Sequence, residues 1–116
     1  MGMHVVQAEV ADDQTKRMQG LMYRKQIVDN DGMVFVFDQP NHHCMWMKNT
    51  LVPLSVAFVD EQGNILNVAN MEPLSEVSHC AKGPAKYALE MRQNWFKQKG
   101  VGEGSNIKGI TALRAR

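Results

Sequence analysis

The strongest constraint on the fold is a pair of β-rich runs joined by a short polar turn. LSVAFVD (residues 54–60) and ILNVANM (65–71) are separated only by EQGN. β-Branched and aromatic residues favour extended backbone, and Gly and Asn supply the positive φ angles that tight turns need. The sequence therefore predicts an antiparallel hairpin over residues 54–71.

Several further runs have the composition of strands. The first run, HVVQAEVA (4–11), alternates in part between apolar and polar residues. The second run, MVFVF (33–37), is apolar on both faces and follows a turn at Asn30–Gly32. A break at 39–41, which contains Pro40, separates the second run from the third, and the segment 48–53, which ends in Pro53, is predicted to be irregular. The predicted strands are HVVQAEVA (4–11), MVFVF (33–37), CMWM (44–47), KYALEM (86–91) and a last candidate at 106–110.

Two short helices are indicated by their end signals. Asp12 and Asp13 are suitable N-caps for the first, and Gly20 marks its end. Asn94 caps a single turn, WFKQK, which Gly100 closes. The apolar residues of the first helix fall at i, i+3 and i+4, on one helical face: Met18, Leu21 and Met22.

These elements predict a small, β-rich α+β domain. With 116 residues the chain is long enough for one compact core and too short for two, so residues 1–116 are interpreted as a single domain. Six or seven strands in so small a chain are expected to curl into an antiparallel, barrel-like sheet, either a barrel or a half barrel, because closure removes exposed edges. The polar segment 75–85 is expected to be a surface loop, and 111–116 a loose tail.

Charge and hydropathy exclude two classes of partner. The 13 basic and 12 acidic side chains give a formal net charge of +1, so the basic surface of a nucleic-acid binder is not expected. No apolar run reaches the roughly 20 residues of a membrane helix. Residues 1–3 are interpreted as an added start, which allows for an export leader upstream in the natural protein. A monomer without a cofactor is expected.

Six blocks, taken in order, resemble one family. They are GLMYR (20–24), GMVFVFD (32–38), CMWMKNTLVPLSVAFVD (44–60), NMEP (70–73), YALE (87–90) and NWFKQKGV (94–101). Together they are similar to the uncharacterised prokaryotic family called DUF192 or UPF0127, over about residues 9–107. The resemblance implies a β-rich barrel-like fold and no established activity. Many relatives carry export leaders, which implies a periplasmic or otherwise extracytoplasmic location, with the cytoplasm as the alternative.

The two cysteines, Cys44 and Cys80, are candidates for a disulfide if the domain is exported. A bridge across this separation would stabilise the fold by roughly 3–4 kcal/mol on the chain-entropy model. The alternative is a pair of buried free thiols. His43 and His79 adjoin the cysteines, but neighbours along a strand point to opposite faces, so a thiol nucleophile is the less favoured interpretation.

A ligand-binding site is predicted around the start of the irregular segment. Trp46 offers a flat face and an N–H, and a cation, an amide and a hydroxyl follow it directly. Such groups at a barrel mouth are typical of a small-ligand site, and two acidic residues could face it. The predicted ligand, small and polar or carbohydrate-like, would meet Trp46, Lys48, Asn49, Thr50, Glu72 and Glu90. The alternative is structural: turn caps, a solvated lysine, and an ion pair from Glu90 to Arg17 or Arg24.

Two other functions remain open at this stage. A small hydrolase could use Glu72 and Glu90 as its carboxylate pair, although no phosphate loop, serine elbow or metalloprotease motif accompanies them, and enzyme activity is less expected than binding. Soft thioether and imidazole ligands suit Cu(I), which makes a metal-binding module the second alternative. Its candidate ligands are His42, His43, Met45 and Met47.

Overall fold

The computed structural model describes residues 6–116. Within that range the chain forms seven strands and two α-helices. In chain order these are β1 (Gln7–Ala11), α1 (Gln14–Gln19), β2 (Asp31–Asn41), β3 (Cys44–Met45), β4 (Leu54–Val59), β5 (Ile65–Met71), β6 (His79–Cys80), β7 (Ala85–Arg92) and α2 (Trp95–Gln98). The β-rich α+β class predicted from the sequence is confirmed.

The strands form one five-stranded sheet and one two-stranded sheet. The order in the larger sheet is β1-β2-β7-β4-β5, with β1 parallel to β2 and the other pairs antiparallel. Strands β3 and β6 pair separately. The predicted hairpin is β4–β5, joined by the turn at 60–64.

The predicted barrel closure is wrong for the described residues. Strands β1 and β5 lie at opposite edges of an open sheet. The free edge of β5 is protected differently: Ile65 accepts a hydrogen bond from the Gly104 amide at 2.9 Å and donates one to the Ser105 carbonyl at 2.8 Å. Barrel closure would protect this edge only by tilting the strands. Because the loop already covers the edge, it is protected without closure.

Several predicted boundaries differ from the structure. β2 continues through Pro40 to Asn41, because the register between β2 and β7 shifts after Val36, and an irregular position tolerates a proline. The predicted strand 44–47 shortens to two residues, and its partner β6 lies inside the predicted loop 75–85. The predicted strand at 106–110 is reduced to an isolated bridge between Asn64 and Asn106, followed by a 3₁₀ turn at Ile110–Ala112. His4 and Val5, at the start of the first predicted strand, lie outside the described residues.

Helix α1 follows its predicted end signals. Asp13 is the N-cap and accepts a hydrogen bond from the Lys16 amide at 2.8 Å, and Gly20 ends the helix with φ of 51°. The helix is shorter than its apolar pattern predicted, so Leu21 is buried in the turn that follows it. Met18, predicted to face the core, is 69% exposed.

The sheet separates two apolar layers, because successive residues of a strand point to opposite faces. We call the first the α2 face: it packs under α2 and the C-terminal segment, and its buried residues include Val34, Val36, Leu89, Met91, Trp95, Phe96, Ile107 and Ile110. We call the second the groove face: its buried residues include Leu21, Met33, Phe35, Phe37, Met47, Val56, Phe58 and Ala88.

Candidate ligand-binding groove

A groove of about 760 Å³ opens over the groove face, between α1 with its following turn and the segment 44–50. This volume lies within the range of roughly 300–1,000 Å³ typical of small-ligand sites. Five residues of the predicted site line it: Trp46, Lys48, Asn49, Thr50 and Glu90. The structure therefore brings most of the predicted ligand-binding residues to one cavity.

Glu90 lies on the innermost wall of this groove. It belongs to β7, the central strand, and its cross-strand neighbours are Met33 and Val56, both apolar and buried. The residue is only 4% exposed, and no side chain or amide among residues 6–116 forms a hydrogen bond or ion pair with its carboxyl group. Burial raises the pKa of Glu90 to about 8. The carboxyl therefore holds its proton at neutral pH.

The ion pairs that the sequence allowed for Glu90 are not formed. Arg17 donates a hydrogen bond to Asp38 at 3.4 Å and another to a backbone carbonyl of β2. Arg24 makes two hydrogen bonds to Glu9, at 2.6 and 2.8 Å. Both guanidinium groups are occupied elsewhere, and Glu90 has no counter-charge from the described residues 6–116.

Trp46 and Lys48 form one side of the groove mouth. Trp46 follows β3 and is 45% exposed. The Lys48 ammonium lies 5.3 Å from the centre of the indole ring, a cation–π contact. At exposed sites such contacts contribute only about 0.5–1 kcal/mol, so a ligand could displace the lysine at small cost.

Asn49 and Thr50 shape the turn that carries this wall. Asn49 adopts φ of 57°, a conformation that asparagine tolerates better than most residues, and its carbonyl accepts the Tyr23 amide at 2.9 Å. The Thr50 hydroxyl donates to the Lys48 carbonyl at 3.2 Å. Thr50 is therefore a turn residue, as the structural alternative proposed, and it also lines the groove.

Glu72 is the one predicted site residue that does not line the groove. It is exposed just beyond the end of β5, where its carboxylate accepts a hydrogen bond from the Gln93 side chain at 3.3 Å. Among residues 6–116, Glu90 is the only carboxylic acid on the groove wall. The structure does not bring the proposed hydrolase pair together in this cavity.

A disulfide joins Cys44 to Cys80, as predicted. The two cysteines face each other across β3 and β6, and Cys44 lines the groove beside Trp46. The described part of the chain has no free cysteine, so it holds no thiol for the nucleophilic alternative. The bridge ties the wall that carries Trp46 to the segment before β7.

The four candidate copper ligands do not all lie together: His43 and Met45 line one cleft, whereas His42 and Met47 are not among the residues that line it. The His43 ring stacks on Phe37 with ring centres 3.8 Å apart, and Met47 is part of the core at 1% exposure. His42 is exposed. Across residues 6–116 no three His, Cys, Asp or Glu side chains are placed to hold a metal ion together.

The opposite wall of the groove was missed by sequence reasoning. Arg17 and Met18 line it from α1, Phe35 contributes from β2, and Tyr23 lies where the turn after α1 meets Asn49. No local sequence pattern indicates this role. The wall forms only in the folded protein, where α1 and segment 44–50 lie over the same face of the sheet. Glu90 was found because a single acidic residue interrupts an apolar strand, a signal that is visible in sequence.

The model of the family DUF192, described as "Uncharacterized ACR", matches residues 1–109. The chain belongs to the DUF192 family. A search of curated proteins finds no match. No α-helix in the described part of this DUF192 chain is long and apolar enough to cross a membrane.

Two solved structures resemble this DUF192 protein over 89% of its length, each with a TM-score of 0.86. One, from Sinorhizobium meliloti 1021, is 38% identical over 81% of its own chain and is provisionally described as a transcription regulator. The other, a protein of unknown function from Novosphingobium aromaticivorans DSM 12444, is 32% identical over 74% of its own chain. Both likenesses support the open-sheet architecture.

Proposed function

We propose that this DUF192 domain binds a small polar or carbohydrate-like ligand in the groove over Glu90. One observation carries the proposal: a buried carboxyl group, to which no residue of the described part of the chain is hydrogen-bonded, faces a cavity large enough for a small molecule. Polar groups that are buried in folded proteins are nearly always hydrogen-bonded. A ligand that offers a donor would complete the hydrogen bonding of this carboxyl.

A purely structural role explains Glu90 poorly. A carboxyl group beside Met33 and Val56 is desolvated by burial, a free-energy cost that an apolar residue would avoid. Natural proteins commonly keep such local conflicts at functional sites. Glu90 therefore has the properties of a recognition group.

Trp46 supports a ligand with a flat or ring-shaped part. Its indole is partly exposed at the groove mouth, with Met45 and Phe35 completing an apolar wall below it. Aromatic faces pack against ring compounds, while a few convergent polar groups orient them. This combination is what a carbohydrate-like ligand requires.

Among residues 6–116 the groove wall has a single carboxylic acid, which favours ligand binding over hydrolysis. Glycoside hydrolysis generally uses two carboxyl groups across the scissile bond, and Glu90 has no second acid beside it on the groove wall within residues 6–116. The regulator description of the Sinorhizobium protein is not extended to this chain, whose net charge of +1 supplies no basic nucleic-acid footprint.

We also propose an extracytoplasmic location. The Cys44–Cys80 disulfide supports it, since structural disulfides persist mainly in oxidising compartments. The test is thiol labelling of the full-length protein in periplasmic and cytoplasmic fractions of its native cells. Recovery of the oxidised protein from the periplasmic fraction is expected, whereas a reduced cytoplasmic protein would contradict the proposal.

The binding proposal is tested by amide chemical-shift mapping with a panel of neutral sugars, amino acids, alkylamines and alcohols. Shifts are expected at Trp46, Lys48 and Glu90, and they should be lost in Glu90→Gln and in Trp46→Ala. The matched control is Glu72→Gln, which removes an exposed acid outside the groove and should respond as the wild type does. Shifts confined to other surfaces, or none with any compound, would contradict the proposal.

A further inference from the structure

The groove contains an acid but no unoccupied cation. Its two basic side chains are Arg17, which bonds Asp38 and a β2 carbonyl, and Lys48, which lies over Trp46. Arg92, two residues after Glu90 on β7, donates to the Gln98 side chain at 2.7 Å. Within residues 6–116, each of these three cations has another partner, and none of them forms an ion pair with Glu90.

We propose that the groove selects ligands that carry a primary ammonium group, which binds the Glu90 carboxylate while the rest of the ligand lies along Phe35, Met45 and Trp46. This inference rests on the proposed function and names the class of ligand. An ammonium group provides three donors and a full positive charge, whereas a hydroxyl provides one donor. Charge-assisted hydrogen bonds are roughly twice as strong as neutral ones.

The aromatic residues of the groove favour the same ligand class. Aromatic faces attract ammonium groups, and the Lys48 ammonium already lies 5.3 Å from the Trp46 ring centre. A ligand cation can use the indole in the same way on its path to Glu90. Once Glu90 has lost its proton, its carboxylate attracts a cationic ligand and repels an anionic one.

Binding of an ammonium group must be linked to proton release. Because burial raises the pKa of Glu90 to about 8, the free protein holds a proton on this group at pH 7. The bound cation stabilises the carboxylate, so about 0.9 proton should leave on binding at pH 7. The affinity should rise about tenfold per pH unit between pH 6 and 7 and level off above 8.

Other ionisable groups near the site are few. Arg17, Tyr23 and Lys48 line the groove with Glu90. The β2 and β4 neighbours of Glu90 are apolar. His43 lines an adjoining cleft, and histidine titrates near neutral pH, so His43→Gln is a necessary control.

The experiment is isothermal titration calorimetry with cyclohexylamine and its neutral analogue cyclohexanol, at pH 6, 7 and 8. At pH 7 it is run in two buffers of different ionisation enthalpy, which gives the number of protons released. Cyclohexylamine is expected to bind wild-type protein at least tenfold more tightly than cyclohexanol and to release close to one proton. Glu90→Gln should abolish both effects, while Glu72→Gln and His43→Gln should retain them.

The outcomes separate this inference from the binding proposal. If cyclohexanol or a neutral sugar binds in the groove as tightly as cyclohexylamine, without proton release, the ammonium preference is refuted and the binding proposal stands. If no panel compound shifts residues in the groove, both fail. Should Glu90→Gln not fold, the wild-type pH series decides alone: a flat affinity between pH 6 and 7 would overturn the inference.

Discussion

The two faces of the five-stranded sheet are packed differently. On the α2 face, Leu89 and Met91 of β7 are covered by Trp95 and Phe96, and all four are buried. On the groove face the residue between them, Glu90, lines a cavity that lies between α1 and the segment 44–50. One strand thus contributes apolar packing to one face and an ionisable group to the other.

This difference indicates how stability and recognition are divided. Apolar burial is the dominant favourable term in folding, and the α2 face supplies it without unpaired charge. The groove face retains Met47, Phe35 and Phe58 in its core but keeps an unpaired acid in their midst. We therefore expect mutations on the α2 face to change stability, and mutations around the groove to change binding more than stability.

The largest expected contrast is between the two tryptophans. Trp95→Ala on the fully buried α2 face should lower the free energy of unfolding by about 3–5 kcal/mol, because it leaves a large cavity. Trp46→Ala removes a half-exposed ring and one cation–π contact, so its cost should stay below about 1 kcal/mol. Urea denaturation of both variants measures the difference, and equal losses would contradict the division between faces.

The disulfide comes next. Replacing both cysteines by serine should lower the free energy of unfolding by about 3–4 kcal/mol on the chain-entropy model, given the separation of 36 residues. Ligand binding should weaken as well, because the bridge anchors the wall that carries Trp46. Urea denaturation of the double variant and of the wild type, both under non-reducing conditions, measures the change in stability. If stability falls but groove binding is unchanged, the wall that carries Trp46 does not depend on the bridge.

Glu90→Gln tests the cost of the acid itself. A carboxyl whose pKa is raised on folding binds a proton that the unfolded chain has released, so its contribution to stability falls as pH rises. Between pH 5 and 8 the wild type should lose about 3 kcal/mol relative to Glu90→Gln. Thermal or urea denaturation of the pair across this range measures the divergence. Parallel curves would show that Glu90 ionises as it does in water.

The smallest expected effect is at an exposed ion pair away from the groove wall. The hydrogen bond from Arg24 lowers the pKa of the Glu9 carboxyl, so this stabilisation is present above the unfolded pKa and is lost as pH falls through the folded one. Both side chains are substantially exposed, and Glu9→Gln should cost less than about 1 kcal/mol at pH 7. Urea denaturation measures this cost. A larger loss of stability would contradict the prediction, because the exposed ion pair would then contribute as much as core packing does.

Much of the fold was predictable because its signals are local. The β4–β5 hairpin, the apolar start of β2 and the caps of α1 follow from composition, turn residues and N-cap chemistry. β3 and β6 were not recognised as a pair because two-residue strands have no periodicity, and their register places Cys44 opposite Cys80, which are far apart in the sequence. Barrel closure was predicted wrongly because coverage of β5 by residues 104–105 is a long-range contact.

Part of the site was also predictable, because its sequence signals are local. Trp46 and Lys48 stand out as a polar and aromatic cluster near a predicted strand end, and Glu90 interrupts an apolar strand. That these residues share one groove, and that Met18 of α1 also lines it, depends on where α1 lies over the sheet. Spacing along the chain carries no information about that placement.

The most direct test of the account is the titration of the Glu90 side-chain carboxyl carbon by ¹³C NMR in ligand-free protein, assigned by comparison with Glu90→Gln. The account predicts a midpoint near the folded pKa of about 8, well above the value of 4.5 typical of glutamate. A midpoint close to 4.5 would contradict it, because the carboxyl would then be solvated or paired and the groove would hold no vacant acid for a ligand.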